Sequence, residues 1–192
     1  ADRMLRREAK AITDEQILAV HTTRHVDNLY QVEREQIQAQ FDSDTYLLPV
    51  SPEIARLSAG GVVMATDMVI KGEAKNGLAI TRPPGHHAIP ERGMGFCLLG
   101  NVAIAARHAQ KMGVERILIV DYDVHHGNGT QDMFYEDNTV LFISTHQSPF
   151  YPGTGTLRET GRRDGRGFTL NIPLSAGQGD ANYMQIFNEI IR

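Results

Sequence analysis

Ile117-Leu118-Ile119-Val120-Asp121-Tyr122-Asp123-Val124-His125-His126-Gly127 sets both the fold class and the place to look for a site. Its first four residues form an unbroken apolar run rich in β-branched side chains, the pattern of a strand buried on both faces. The residues that follow place four titratable side chains, Asp121, Asp123, His125 and His126, within six positions of each other. Working outward, Leu78–Thr81, Val140–Ile143 and Phe168–Ile172 are further short apolar strands. Leu98–Met112 is an alanine-rich helix that should stop before Gly113. Gln131–Tyr135 and Ala181–Ile191 complete the alternation. Strand, helix, strand, helix, strand predicts an α/β domain with a mostly parallel sheet and helices on both faces.

The N-terminal portion, residues 1–76, is mainly helical, and 77–192 carries the strand–helix pattern, together one domain. Thr13-Asp14-Glu15-Gln16 has the spacing of a capping box, so a helix should start there and run to about Val20. A charged helix is expected over Val26–Gln40. Ser51-Pro52 suggests an N-cap followed by a proline at the first helical position, opening a helix through Val63 to about Ile70. Gly60-Gly61 lies inside that helix at a cost of about 1 kcal/mol per glycine. Either a neighbour approaches the backbone closely there or the glycines are simply tolerated.

Composition narrows the partners. The 192 residues carry 19 Lys and Arg against 23 Asp and Glu, a net charge of −4, with 41% hydrophobic residues. That balance gives no electrostatic basis for binding nucleic acid or an anionic membrane. No apolar run reaches membrane-spanning length. The first residues lack a signal-peptide pattern, and the single Cys97 fits a reducing compartment. A cytoplasmic location is expected.

In open α/β sheets, sites form at the carboxyl ends of the strands. Here those ends carry Arg82-Pro83-Pro84-Gly85-His86-His87, Asp121–His126 and Ser144-Thr145-His146. Asp123 and His125 stand two apart, so in an extended segment both point to one side. A carboxylate and an imidazole suit zinc, with iron or cobalt as substitutes. Asp121 suits a place behind the metal, or an alkali-metal site. The competing reading is a capped turn in which the aspartates accept backbone N–H bonds. His86 and His87, on a loop stiffened by two prolines, suit proton transfer. Phe96 could wall a channel or pack in the core.

Taken in order, Arg82–His87, Gly95-Phe96-Cys97, Asn101-Val102-Ala103, Asp121–Gln131, Ser144-Thr145-His146 and Tyr151-Pro152-Gly153-Thr154-Gly155 resemble the histone deacetylase family. That family includes bacterial acetoin-utilisation-type proteins and acetylpolyamine amidohydrolases. The resemblance covers nearly the whole chain and is strongest from Thr81 to Pro173. It implies a three-layer αβα arginase/deacetylase fold and hydrolysis of an N-acetyl amide (acetyl-lysine, acetylpolyamine or similar) by zinc-bound water.

By position, Asp123 and His125 match two zinc ligands. His86 and His87 match the paired histidines, with His87 the general base, and Asp121 matches the carboxylate that orients His86. A structural potassium would use Asp121, backbone oxygens of Asp123, His125 and Thr145, and the Ser144 hydroxyl. Gly95, Phe96 and Tyr151 match substrate-binding positions. Asp44 matches a rim aspartate, in competition with Asp42. Asn128 stands where some relatives place an aspartate behind the second histidine, which should leave His87 neutral more readily.

The resemblance also implies a third zinc-ligating aspartate and an oxyanion-stabilising tyrosine in segments with no counterpart in the sequence. The expectation is therefore a fragment truncated at both ends, inactive alone, with an exposed sheet edge prone to association. The alternative function is a non-catalytic metal- or acyl-binding member or an assembly module. An arginase-like binuclear manganese enzyme shares the fold but would need further bridging aspartates.

Overall fold

The computed structural model describes residues 4–191. Three helices open the chain: α1 (Asp14–Leu18), α2 (Thr23–Glu35) and α3 (Ser51–Ile70), with a two-stranded antiparallel hairpin, β1 (Ala39–Gln40) and β2 (Tyr46–Leu47), between α2 and α3. After them come α4 (Asn101–Lys111), β3 (Ile117–Asp121), α5 (Asn128–Phe134), β4 (Val140–Gln147), β5 (Thr169–Leu174) and α6 (Asp180–Ile186), the last running into a π-helical turn, Phe187–Ile191. The strands β3, β4 and β5 pair in that order, all parallel, with Asp121 opposite Ser144 and Ser144 opposite Asn171.

Local chemistry accounts for the element ends. Thr13 and Gln16 form the expected capping box at α1, which satisfies two N–H groups the first helical turn leaves free. The helix expected over Val26–Gln40 instead starts at Thr23, capped by the Thr22 side chain, and stops where Gln36 turns left-handed at φ 53°. Ser51 is inside α3 and not its cap. Val50 takes the cap position, while the Ser51 hydroxyl accepts the Leu48 N–H. Gly60 and Gly61 are sites of close approach. A Cβ on Gly60 would stand 1.7 Å from the Lys10 carbonyl oxygen, and one on Gly61 2.7 Å from the Thr81 methyl.

Two expectations for the sheet need correction. Leu78–Thr81 forms no strand, and Leu78 and Ile80 are largely exposed. A strand needs a neighbour about 4.8 Å away. Here a groove of about 610 Å³ over α3 and α4 separates Gly77 and Ala79 from Ile117–Val120. β3 is therefore an edge strand, and one of its faces is open to the groove: Ile119 is buried, but Leu118, on the opposite face, is 51% exposed.

The core falls into two packed clusters. Ile17, Leu29, Leu47, Ala59, Leu99 and Ile104 bind the N-terminal helices to α4. Ala103, Ala106, Ile119, Phe134, Val140 and Phe142 bind α4 and α5 to the sheet. Among the described residues no helix is long and apolar enough to cross a membrane.

Candidate active site

The carboxyl ends of β3 and β4 and the first turn of α5 meet the Arg82–Leu99 loop. Gly129 and Thr130 N–H groups, in the first turn of α5, donate to the His86 carbonyl at 2.9 and 3.1 Å. A Cβ on Gly129 would lie 2.2 Å from the Ala88 carbonyl oxygen, so only glycine lets the histidine loop sit this close. His86 and His87 are thereby held with ring centroids 4.0 Å apart.

Each ring has a different partner. His86 Nδ1 lies 2.9 Å from Asp121 Oδ2, and His87 Nδ1 lies 2.8 Å from Asn128 Oδ1. The Asn128 amide nitrogen faces the His87 carbonyl and Met94 Sδ, leaving its oxygen toward the ring. His87 therefore donates from Nδ1 and keeps a lone pair on Nε2.

The electrostatics follow. Burial lowers His86, but the hydrogen bond and charge of Asp121, with Asp123 beyond, outweigh it and raise its pKa above 6.5. Burial and the neighbouring His86 charge push His87 down to about 4, against a smaller upward pull from Asn128. One imidazole is biased toward the cation and its neighbour toward the neutral base.

Asp123 and His125 converge, although not by strand alternation. β3 ends at Asp121, and the two side chains meet through a turn in which Asp123 Oδ1 accepts the His125 N–H at 2.8 Å. Asp121 Oδ1 likewise accepts the Asp123 N–H at 3.1 Å. The capped turn and the convergent pair are thus one structure. Asp123 Oδ1 and His125 Nδ1 stand 3.0 Å apart. That is hydrogen-bond distance, and the pair offers one oxygen and one nitrogen donor that could together hold a metal. Burial works to raise the Asp123 carboxyl, but the His125 N–H and the charges of His86 and His125 overcome it and hold the pKa low. Among the described residues no group of three or more His, Cys, Asp or Glu side chains converges on one point.

Aromatic rings border this pair. The Tyr151 ring meets His87 edge-on at 5.0 Å. Phe96 is 63% exposed, which excludes core packing as its role. Its φ of +67° and that of Gly95, +56°, are held by the Thr45 hydroxyl accepting the Phe96 N–H and the Asp42 carboxylate accepting the Gly95 N–H. Asp42 therefore anchors the loop. Asp44 is exposed and lines a groove of about 370 Å³ beside Phe96.

Sequence reasoning missed Phe150, which stacks on His125 at 4.9 Å and 12°. The adjacent aromatics in Pro149-Phe150-Tyr151-Pro152 were the available signal. Ser144 and Thr145 are buried opposite and beside Asp121, with the Thr145 hydroxyl 3.4 Å from the Asp121 carbonyl. Cys97 lies beneath His87. Burial pushes its thiol up to about 12, which keeps it unreactive.

Comparison with known proteins gives the family and the fold. The histone deacetylase domain model matches residues 1–192. A probable deacetylase of Archaeoglobus fulgidus is 48% identical over 92% of the chain and 49% of its own length. Histone deacetylase 15 of Arabidopsis thaliana is 45% identical over 95% of the chain and 34% of its own length. The crystal structure of the HDA15 HD domain superposes with a TM-score of 0.91 at 43% identity, covering 95% of this chain and 52% of that one. The fold is thus the α/β arginase/deacetylase fold, and the chain spans about a third to about half of the length of these relatives. With the domain model matching its whole length, relatives at 45–48% identity and a superposable solved structure, the chain belongs to the histone deacetylase family.

Proposed function

We propose that this chain supplies the metal-holding and proton-transfer side of a zinc-dependent deacetylase acting on an acetylated amine. One observation carries the reading: two adjacent imidazoles, one biased toward the cation by a carboxylate and the other toward the neutral base by burial and its neighbour's charge, face a convergent Asp–His pair. In this reading residues 1–76 form the scaffold, and 77–192 form the site-bearing part of one domain. The packing of α3 on α4 supports reading the two parts as one domain.

Asp123 and His125 would hold zinc. When bound, zinc polarises the amide carbonyl and lowers the pKa of water toward 7. His87 takes the proton of the attacking water on Nε2, because Nδ1 is committed to Asn128. His86, biased toward the cation by Asp121, stabilises negative charge that develops beside it. The protonated His87 then returns its proton to the departing amine. Phe150 fixes the ring plane of His125 by stacking.

Gly95, Phe96 and Tyr151 line the approach for a slim acyl-amine arm, and Asp44 stands at the rim. The exposure of Phe96 and the edge contact of Tyr151 with His87 support these placements. A potassium ion would be held by the Asp121 carboxylate, the backbone oxygens of Asp123, His125 and Thr145, and the Ser144 hydroxyl. This set consists entirely of oxygen donors around the Asp121–Ser144 register.

The test is zinc content together with hydrolysis of acetyl-lysine peptide and N-acetylpolyamine by the full-length protein. Zinc bound with release of acetate is expected. Zinc bound without hydrolysis of any acetylated amine would instead identify a non-catalytic metal- or acyl-binding protein.

A further inference from the structure

Beneath the Phe150–Tyr151 loop lies a chain of polar side chains that the proposed reaction does not use. Its links run from the half-buried Glu159 to Gln131, from Gln131 to His126, and from His126 to Thr154. The Gln131 side-chain nitrogen donates to Glu159 Oε2 at 2.7 Å. The Gln131 side-chain oxygen faces His126 Nε2 at 3.2 Å and accepts from Asn171 at 2.7 Å. His126 Nδ1 faces the Thr154 hydroxyl at 2.8 Å. Glu159 also accepts the Gly155 and Thr156 N–H groups at 2.9 to 3.1 Å. From β4, His146 Nε2 donates to the Gly155 carbonyl at 2.9 Å. His126, His146, Gln131 and Asn171 are all buried.

A carboxylate can only accept hydrogen bonds, and this sets the polarity of the whole chain. Glu159 requires the Gln131 amide nitrogen, so the Gln131 oxygen must face His126. His126 must then carry its proton on Nε2, leaving Nδ1 to accept from the Thr154 hydroxyl. The base of the loop is therefore held twice by one charge, directly at Gly155 and Thr156 and through the chain at Thr154. His126 adjoins His125 in sequence, and Phe150 stacks on His125. The same chain thus ties the loop to the segment its aromatic rings pack against.

We infer that Glu159, acting through Gln131 and His126, is the positioning residue that sets Phe150 and Tyr151 against His125 and His87. This inference rests on the proposed deacetylase reading for its kinetic consequence but not for its structural one. Glu159→Gln keeps the shape and places a donor where Gln131 also donates. Flipping Gln131 would only move the conflict to Asn171. The swap Gln131→Glu with Glu159→Gln gives every donor an acceptor again: the bond between positions 131 and 159 reverses, while the His126–Thr154 polarity is kept.

The test has two readouts, amide hydrogen exchange at Gly153 and steady-state kinetics. Gly153 bonds to the Phe150 carbonyl and is not touched by Glu159. In Glu159→Gln, Gly153 exchange should rise about tenfold, as expected for loss of about one hydrogen bond of order. For an acetyl-lysine peptide, KM should rise about tenfold with kcat within about twofold, the signature of lost binding rather than lost chemistry. The swap should return both values to near wild type. Thr154→Val, which removes only the hydroxyl on His126, should give a smaller change in the same direction. Unchanged Gly153 exchange in Glu159→Gln would overturn the inference, as would a swap no better than the single variant or a fall in kcat with KM unmoved. If the wild-type protein hydrolyses no acetylated amine, the deacetylase reading fails, and Gly153 exchange still decides the positioning role.

Discussion

His86 and His87 are neighbours in sequence and in space, yet their pKa values move in opposite directions. The difference lies in the residue behind each ring. Asp121 offers a full negative charge to His86, whereas Asn128 offers His87 only a dipole. The sign of a substitution follows directly. In Asn128→Asp, a carboxylate would stabilise the His87 imidazolium and raise its pKa. The base would then stay protonated to a higher pH, and the acidic limb of the pH–rate profile should move to higher pH by about one unit or more. A limb that stays in place would mean His87 is not the base. The Asp123–His125 pair, the histidine pair and Asn128 were all legible as candidates in the sequence, because each sits inside a short ordered motif. Phe150 and Glu159 were not, because their roles depend on which face of a loop packs on β4 and α5. Asp42 was read as a competitor for the rim. It instead anchors Gly95, a role that only its distance to a backbone N–H reveals.

At the scale of elements, periodicity and cap residues gave the helices well and the sheet less well. Runs such as Val140–Ile143 declared β4 because that strand is paired on both sides and buried. Ile117–Val120 likewise declared β3, which pairs with β4 on one side, whereas Leu78–Thr81 carries a similar local signal without pairing, because pairing depends on a neighbour that local sequence does not encode. The glycines of α3 show the opposite case, where packing explains a poor helix former. Alanine at an exposed helical position stabilises by about 1 kcal/mol relative to glycine. At Gly60 a Cβ would collide with the Lys10 carbonyl. Gly60→Ala should therefore destabilise the protein by about 1–3 kcal/mol, the usual cost of forcing an extra group into a packed contact. Chemical denaturation would measure it, and a gain in stability would show that α3 does not pack against residue 10 in solution.

For the whole molecule, the arrangement is a helical scaffold that delivers one loop of histidines to the carboxyl edge of a parallel sheet, where β3 and β4 present the candidate ligands. Among the described residues Asp123 and His125 converge as a pair without a third His, Cys, Asp or Glu, whereas catalytic zinc sites normally supply three protein ligands. The proposed function thus divides the site into metal holding by Asp123 and His125 and proton transfer by His87. His87→Ala in the full-length protein separates the two roles in one measurement of zinc content and acetate release from an acetyl-lysine peptide. Zinc content should match wild type while turnover falls by about 10²-fold or more, the contribution of a positioned general base. Loss of zinc together with activity, or turnover that survives the substitution, would contradict the assignment of His87 as the base.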